Sequence, residues 1–437
     1  MAPRTAIRGL LASVSAVLLL GSAACAGDDT AGDAGDTLEV WTRSAPEPAA
    51  TYKDIFAAFT AKTGITVNYQ PVVEFDQQLQ ARASSKDLPD VFVADAANLG
   101  TYQAQGWLQP IEQASVAGAT DIADTAWSSV KGLDGKTYGI PFSRQAFATF
   151  IRKDWREKVG LPVPKTWADL TALAKAFAEK DPDGNGKKDT YGMLVPGSAQ
   201  NGYTVFWGAS YLWQGGGDIV TDAGGGKYGV AINSDKSVQA VTWIRDQFCT
   251  PGVVQPGALT QTTAQTTHFT DGTAGIYFTG PYNFVPYDQK LTKEKYEVVP
   301  APAGPAGGDV LANGENIYLG AGGKLTDAQK KLADFLITPE AQKLGMVSKT
   351  QAVVRLPVNK TLDAAQVTGD QRWSVIQKAY TENGHEFPSA LQWVPVRNAA
   401  AEGLNKVLAD CSGDVKAGLD ATAQAVSAAL QEQGVLA

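Results

Sequence analysis

An α/β fold organised as two domains is predicted from three observations: strand-like and helix-like segments alternate from the first ordered residues, apolar runs of buried-strand type recur, and the chain is long. At 437 residues it exceeds what one hydrophobic core usually organises, so two domains are expected. Thr37 to Trp41 (TLEVW) reads as a short strand. Ala49 to Thr63 follows with Tyr52, Ile55, Phe56 and Phe59 on one helical face, and Gly64 stops it. Ile65 to Tyr69 (ITVNY) alternates as a strand, and Asp90 to Ala94 (DVFVA) is a near-continuous apolar run suited to a strand covered on both faces. This order of elements predicts a parallel sheet.

The alternation continues. Phe147 to Ile151 reads as a strand, and Thr166 with Asp169 three residues on predicts a capped helix running through Ala178. Gly275 to Phe278 (GIYF) and Asn316 to Leu319 (NIYL) are further strands, separated by the Pro- and Gly-rich connector Pro300 to Gly308. Helical patterns follow at Ala328 to Leu336, Glu340 to Gly345 and Ala399 to Leu408.

Residues 1–24 carry Arg4 and Arg8 ahead of the apolar run Gly9 to Leu20 and then small residues, the pattern of an export signal. That run is short for a membrane span, and no other stretch approaches about 18 consecutive apolar residues. Gly21-Ser22-Ala23-Ala24-Cys25 resembles a bacterial lipobox, which implies lipidation of Cys25 and anchoring at the outer face of the cell membrane. Ser22 departs from the aliphatic residue the motif prefers, leaving plain signal cleavage as the alternative. Residues 25–36, rich in Gly, Ala and Asp, suit a flexible tether. Without the first 24 residues the net charge moves from −8 to −10, and an acidic chain with no basic block argues against a nucleic-acid partner. Cys249 and Cys411 then remain, either as a disulfide, as export favours, or as two buried thiols.

Several segments together resemble the family 1 extracellular solute-binding proteins, the maltose-binding-protein group, over essentially the whole exported chain. They are LEVWTRS (Leu38 to Ser44), LPDVFVADAANLGTYQAQGWLQPI (Leu88 to Ile111), YGIPFSRQAFATFIRKD (Tyr138 to Asp154), PKTWADL (Pro164 to Leu170), DPDGNGKKDTYG (Asp181 to Gly192), FTDGTAGIYFTGPYNF (Phe269 to Phe284) and TPEAQ (Thr338 to Gln342). The resemblance implies a two-lobe, periplasmic-binding-protein-like fold with discontinuous domains and a hinge. One lobe takes 37–144 plus 311–354 and the other 145–300 plus 355–437. It further implies a carbohydrate ligand between the lobes, delivery to the permease subunits of an ABC importer, a monomer, and no cofactor.

A sugar presents apolar C–H faces and a rim of hydroxyls, so its site needs aromatic platforms beside carboxylates, amides and guanidinia. Trp41 at the end of the first strand lies where open α/β sheets bind ligands. Tyr282 in Gly-Pro-Tyr-Asn and Trp393, four residues before Arg397, match stacking positions of the family resemblance, and Arg397 is itself a candidate cleft guanidinium with Arg144 and Arg355. Trp207 and Trp213 lie in an aromatic stretch, with one expected to line the cleft. Asp95 and Glu74 at strand ends are hydroxyl acceptors. Ser143, Arg144 and Gln145 occupy the first crossing between lobes, Glu315 and Asn316 the second, and Arg355 the third. Trp155, Trp167 and Trp243 are read as core. Asp181, Asp183, Asn185 and Asp189 open like an EF-hand loop, a candidate calcium site weakened by Gly192 at the twelfth position; an Asx-rich turn explains them equally.

The chain carries no GxSxG, HExxH or glycine-rich phosphate loop, which argues against a serine, zinc or nucleotide enzyme. A secreted carbohydrate-active enzyme is the distant alternative. A peptide, a polyamine or a phosphate ester is the nearer one, as the solute of the same kind of importer; two scattered His make metal uptake a poor reading.

Overall fold

The computed structural model describes residues 37–322 and 326–437, apart from the side chains of 264–266. The signal segment, Cys25 and the tether lie outside the described residues. The strands are β1 (Thr37–Arg43), β2 (Thr66–Val72), β3 (Val91–Asp95), β4 (Ile140–Ala146), β5 (Ala148–Arg152), β6 (Tyr191–Leu194), β7 (Val220–Gly224), β8 (Lys227–Val230), β9 (Ala274–Thr279), β10 (Tyr296–Val299), β11 (Val310–Leu319), β12 (Leu356–Pro357) and β13 (Gly384–His385).

Local chemistry accounts for the element boundaries. The helix Pro46–Thr63 opens with prolines where no intrahelical N–H is needed, buries Tyr52, Ile55, Phe56 and Phe59, and ends at Gly64, whose φ of 74° lets its N–H reach Thr60 O at 2.8 Å. The helix Trp167–Glu179 starts from the reciprocal Thr166–Asp169 capping box.

The fold is α/β with two lobes, each built on its own sheet. The larger runs β12-β4-β11-β3-β1-β2, with β13 beside β11, and the smaller runs β10-β5-β9-β6. The expected parallel sheet is mixed instead. β1 pairs in parallel with β2 and β3, but β11 lies antiparallel to both β3 and β4. The cause is the connectivity: β11 returns from the other lobe through residues 300–309 and so enters the sheet from the opposite end. Phe147 alone separates β4 in the larger sheet from β5 in the smaller. β12 pairs with β4, so the chain is still in the larger sheet just past Arg355, where the sequence places the third crossing.

Cys249 and Cys411 form a disulfide with Cα atoms 5.6 Å apart, tying the helix Asp235–Cys249 to the turn between the helices Trp393–Ala409 and Val415–Glu432. In the acidic loop the Asp181 carboxylate accepts backbone N–H groups from Gly184, Asn185 and Gly186, and Asn185 Nδ2 donates to Asp183 and Asp189. Gly192 belongs to β6, where an added Cβ would lie 2.6 Å from Ala174. Among the described residues no three His, Cys, Asp or Glu converge as ligands of a metal ion would, and no helix is long and apolar enough to cross a membrane.

Candidate functional site

A cavity of about 320 Å³ opens between the two sheets. Its larger-sheet wall is built from strands and their ends: Arg43 closes β1, Glu74 and Asp76 follow β2, Asp95 closes β3, Gln145 lies on β4, Asn313 and Glu315 lie within β11, and Arg355 precedes β12. The opposite wall is aromatic. Tyr203, Phe206 and Trp207 share one face of the helix Tyr203–Gln214 at i, i+3 and i+4 spacing, Tyr277 and Phe278 come from β9, and Tyr282 from the turn after it. Arg397 joins that wall from the helix Trp393–Ala409.

The charged wall is pre-arranged. Arg43 Nη2 stands 2.9 Å from Asp95 Oδ1 and 3.6 Å from Glu315 Oε1, and Asp95 holds the Arg43 guanidinium above its ordinary pKa. Arg355 Nη1 pairs ionically with Glu315 Oε2 at 2.9 Å, and Tyr52 Oη donates to the same oxygen at 3.2 Å. Gln145 Nε2 donates to Asn313 Oδ1 at 2.8 Å. Gln145 Oε1, Arg355 Nε and Arg397 Nε are buried at the cavity without a hydrogen-bond partner. On the aromatic wall the rings of Tyr203, Phe206 and Tyr282 are partly open. Tyr282 Oη and Thr279 Oγ1 are hydrogen-bonded at 2.8 Å, and burial raises the phenol's pKa. Burial also lowers the Arg397 guanidinium. At the rim, Asn201 Nδ2 reaches Glu74 Oε2 at 3.4 Å.

Glu74, Asp95, Trp207, Tyr282, Glu315, Arg355 and Arg397, all expected from the sequence, line this cavity. Others do not. Trp41 is one step short of the wall: its indole packs on Phe75 beneath Arg82 and donates to Glu39 at 2.8 Å, and Arg43, two residues on along the same strand face, occupies the cavity position. Trp393 is fully buried against Phe387, with ring centroids 4.6 Å apart, one turn before Arg397. Trp213 stacks on His385 at 3.9 Å and donates to Asp218, on a helix face turned away from Trp207.

Strand periodicity explains the remaining corrections. Gln145 and Glu315 face the cavity, so their neighbours Arg144 and Asn316 face the opposite side of the sheet. There the Arg144 guanidinium binds Ala126 O, Ser129 Oγ and Asn316 Oδ1, and Asn316 Nδ2 binds Ser129 O. Ser143 is buried at the sheet centre, where its Oγ accepts the Arg355 backbone N–H at 3.0 Å. Arg43, Asp76, Asn313, Tyr203 and Phe206 were not singled out from sequence. Period two from Glu315 points to Asn313, and the helical face through Trp207 points to Tyr203 and Phe206.

The profile of the bacterial extracellular solute-binding protein family matches residues 44–343. Among curated proteins, the lipoprotein LipO of Bacillus subtilis (strain 168) is 27% identical over 216 residues, 46% of this chain, which spans less than half, 42%, of that relative's length. The maltooligosaccharide ABC transporter solute-binding lipoprotein of Streptococcus pneumoniae serotype 4 (strain ATCC BAA-334 / TIGR4) is 28% identical over 80% of this chain and 79% of its own. Among solved structures, the GacH receptor of Streptomyces glaucescens GLA.O superposes with a TM-score of 0.77 at 21% identity, covering 92% of this chain and all of that one, which shows a common fold. With its profile match running from the end of the first strand through most of the fold, the chain belongs to the bacterial extracellular solute-binding protein family.

Proposed function

We propose that the chain is the extracytoplasmic receptor of an ABC importer, which captures a carbohydrate of two or more sugar units between its lobes and delivers it to membrane permease subunits. The observation that carries this is the two-walled cavity: partly open aromatic rings at Tyr203, Phe206 and Tyr282 face carboxylates and guanidinia at Asp76, Asp95, Glu315, Arg43 and Arg355. Aromatic faces match the apolar C–H faces of a sugar ring, and paired donors and acceptors match its hydroxyl rim. The pneumococcal relative is named for a maltooligosaccharide importer, and the GacH receptor was solved with acarbose, which supports the same ligand class. The receptor does no chemistry on its ligand: the open form binds, the hinge closes, and contacts to both walls select the closed state. Cys25 carries a lipid that holds the monomer at the outer face of the cell membrane.

A thermal-shift screen of the purified protein tests this, with neutral and acidic oligosaccharides against peptides, polyamines, phosphate esters and calcium. A ligand that binds only the native state raises the melting temperature by mass action. The expected result is a rise with one family of oligosaccharides. A rise with a peptide, polyamine or phosphate ester alone sinks the carbohydrate reading and keeps the receptor. Turnover of any oligosaccharide to shorter products sinks the receptor reading.

A further inference from the structure

Arg397 is the sole cation of the aromatic wall among the described residues, and it is 3% exposed. Its guanidinium makes no hydrogen bond to the described residues: Nε is buried without a partner, and the nearest carboxylate oxygen, Asp76 Oδ2 on the opposite wall, stands 3.8 Å from Nη2. That separation is too long for a hydrogen bond. Both groups are held where they are. Asp76 Oδ1 accepts from Tyr102 Oη at 2.7 Å and from Asn98 Nδ2 at 3.2 Å. The Arg397 guanidinium lies 5.4 Å from the Phe206 ring centroid, and its Cδ is so close to Gly202 that an added Cβ there would come within 2.5 Å. Gly202 also has a φ of 77°, so the loop over Arg397 is one that glycine alone forms easily.

A buried guanidinium short of acceptors is costly, and the group that relieves it must also tolerate Asp76 beside it. A carboxylate or phosphate would supply acceptors but add negative charge to a cavity lined by four carboxylates, Glu74, Asp76, Asp95 and Glu315, against three guanidinia. An ammonium would satisfy Asp76 and leave Arg397 as it is. A hydroxyl both donates and accepts, so it suits both partners.

We propose that Asp76 and Arg397 are a split ion pair completed by a ligand hydroxyl, which accepts from Arg397 Nη2 and donates to Asp76 Oδ2 and so selects neutral sugars over uronates. The two residues come from opposite walls, so the bridging hydroxyl also ties recognition at this end of the cavity to closure. Asp76 is thereby a specificity-determining residue. The inference rests on the carbohydrate reading above.

Calorimetric titration of the whole protein with maltotriose, cellotriose, 1-kestose and trigalacturonate, in the wild type and in Asp76→Asn, tests it. Asparagine keeps an oxygen for Tyr102, and melting curves of both proteins establish that the variant folds. The expected result is tighter binding of a neutral trisaccharide than of trigalacturonate by the wild type. Asp76→Asn should then weaken the neutral ligand about 10- to 100-fold, the effect of one charge-assisted hydrogen bond, and narrow the gap to trigalacturonate. A wild type that prefers trigalacturonate overturns the proposal without any variant. So does an Asp76→Asn protein that binds the neutral ligand as the wild type does. If the wild type binds none of the four sugars, this proposal and the carbohydrate reading fall together; binding with an indifferent variant removes this one alone.

Discussion

The larger-sheet wall of the cavity carries Glu74, Asp76, Asp95 and Glu315 with Arg43 and Arg355, whereas the facing wall carries Tyr203, Phe206, Phe278 and Tyr282 with Arg397. The difference follows from how each wall is made. On the first, β1 and β3 end at the cavity and β2 leads into it, while β4 and β11 pass beside it, so the polar side chains come from strand ends and from one face of the crossing strands. On the second, one face of the helix Tyr203–Gln214, the end of β9 and the turn after it supply rings, and the helix Trp393–Ala409 adds Arg397. One wall offers hydrogen-bonding groups and the other offers ring faces, and variants on each should fail differently.

The largest expected effect is on the charged wall. Glu315→Gln strips the carboxylate from Arg355 and from Tyr52, leaving a half-buried guanidinium without its ion pair. It should lower folding stability by about 3 kcal/mol, read by chemical denaturation, as well as weaken binding. If stability holds, the wall is less pre-arranged than its distances indicate. The aromatic wall should separate the two properties: Tyr282→Ala or Phe206→Ala should cost roughly 1 to 3 kcal/mol of carbohydrate binding by calorimetry, with a smaller loss of stability, because both rings are partly open. Trp393 supplies the contrast, since its ring is buried away from the cavity. Trp393→Phe should melt earlier yet bind as the wild type does, and a large binding defect there would move the platform back to where the sequence first suggested it.

An ion network remote from both walls gives the smallest effect. Against the upward push of burial, hydrogen bonds from Arg372 bring the Asp370 carboxyl from 3.8 down to about 2. Arg372 also binds Asp288 at 2.6 Å and Tyr296 Oη. Because the folded-state pKa is depressed, the carboxylate's contribution of about 2 kcal/mol is complete above 3.8 and is lost as pH falls through about 2. Denaturation curves between pH 6 and pH 2 should show this loss, and Asp370→Asn should flatten that part of the profile while ligand affinity at pH 6 stays unchanged.

Several site residues were legible because strand ends and period two are local properties. Asp95 follows a continuous apolar run, and Glu315 and Arg355 flank segments that read as crossings. The misreadings are small shifts along correct elements. Trp41 is two residues short of Arg43, and Trp393 is one helical turn short of Arg397. In both cases the structure uses the aromatic as packing beside a guanidinium that lines the cavity; Arg397 was expected there along with Trp393, whereas Arg43 was not singled out. The Trp393 helix also begins six residues before the predicted Ala399, which places the indole inside an element rather than in a loop.

By itself the sequence determined the alternation of elements, the caps at Thr166 and Gly64, the burial of Tyr52, Ile55, Phe56 and Phe59, and the family, because these depend on side-chain chemistry and spacing within a few residues. Tertiary structure alone decided that β11 runs antiparallel beside β3 and β4, that Cys249 meets Cys411 across 162 positions, and that Asp76 faces Arg397. Each of those joins residues far apart in the chain. Which distant groups meet is set by how whole lobes pack, and no local pattern of residues carries that information.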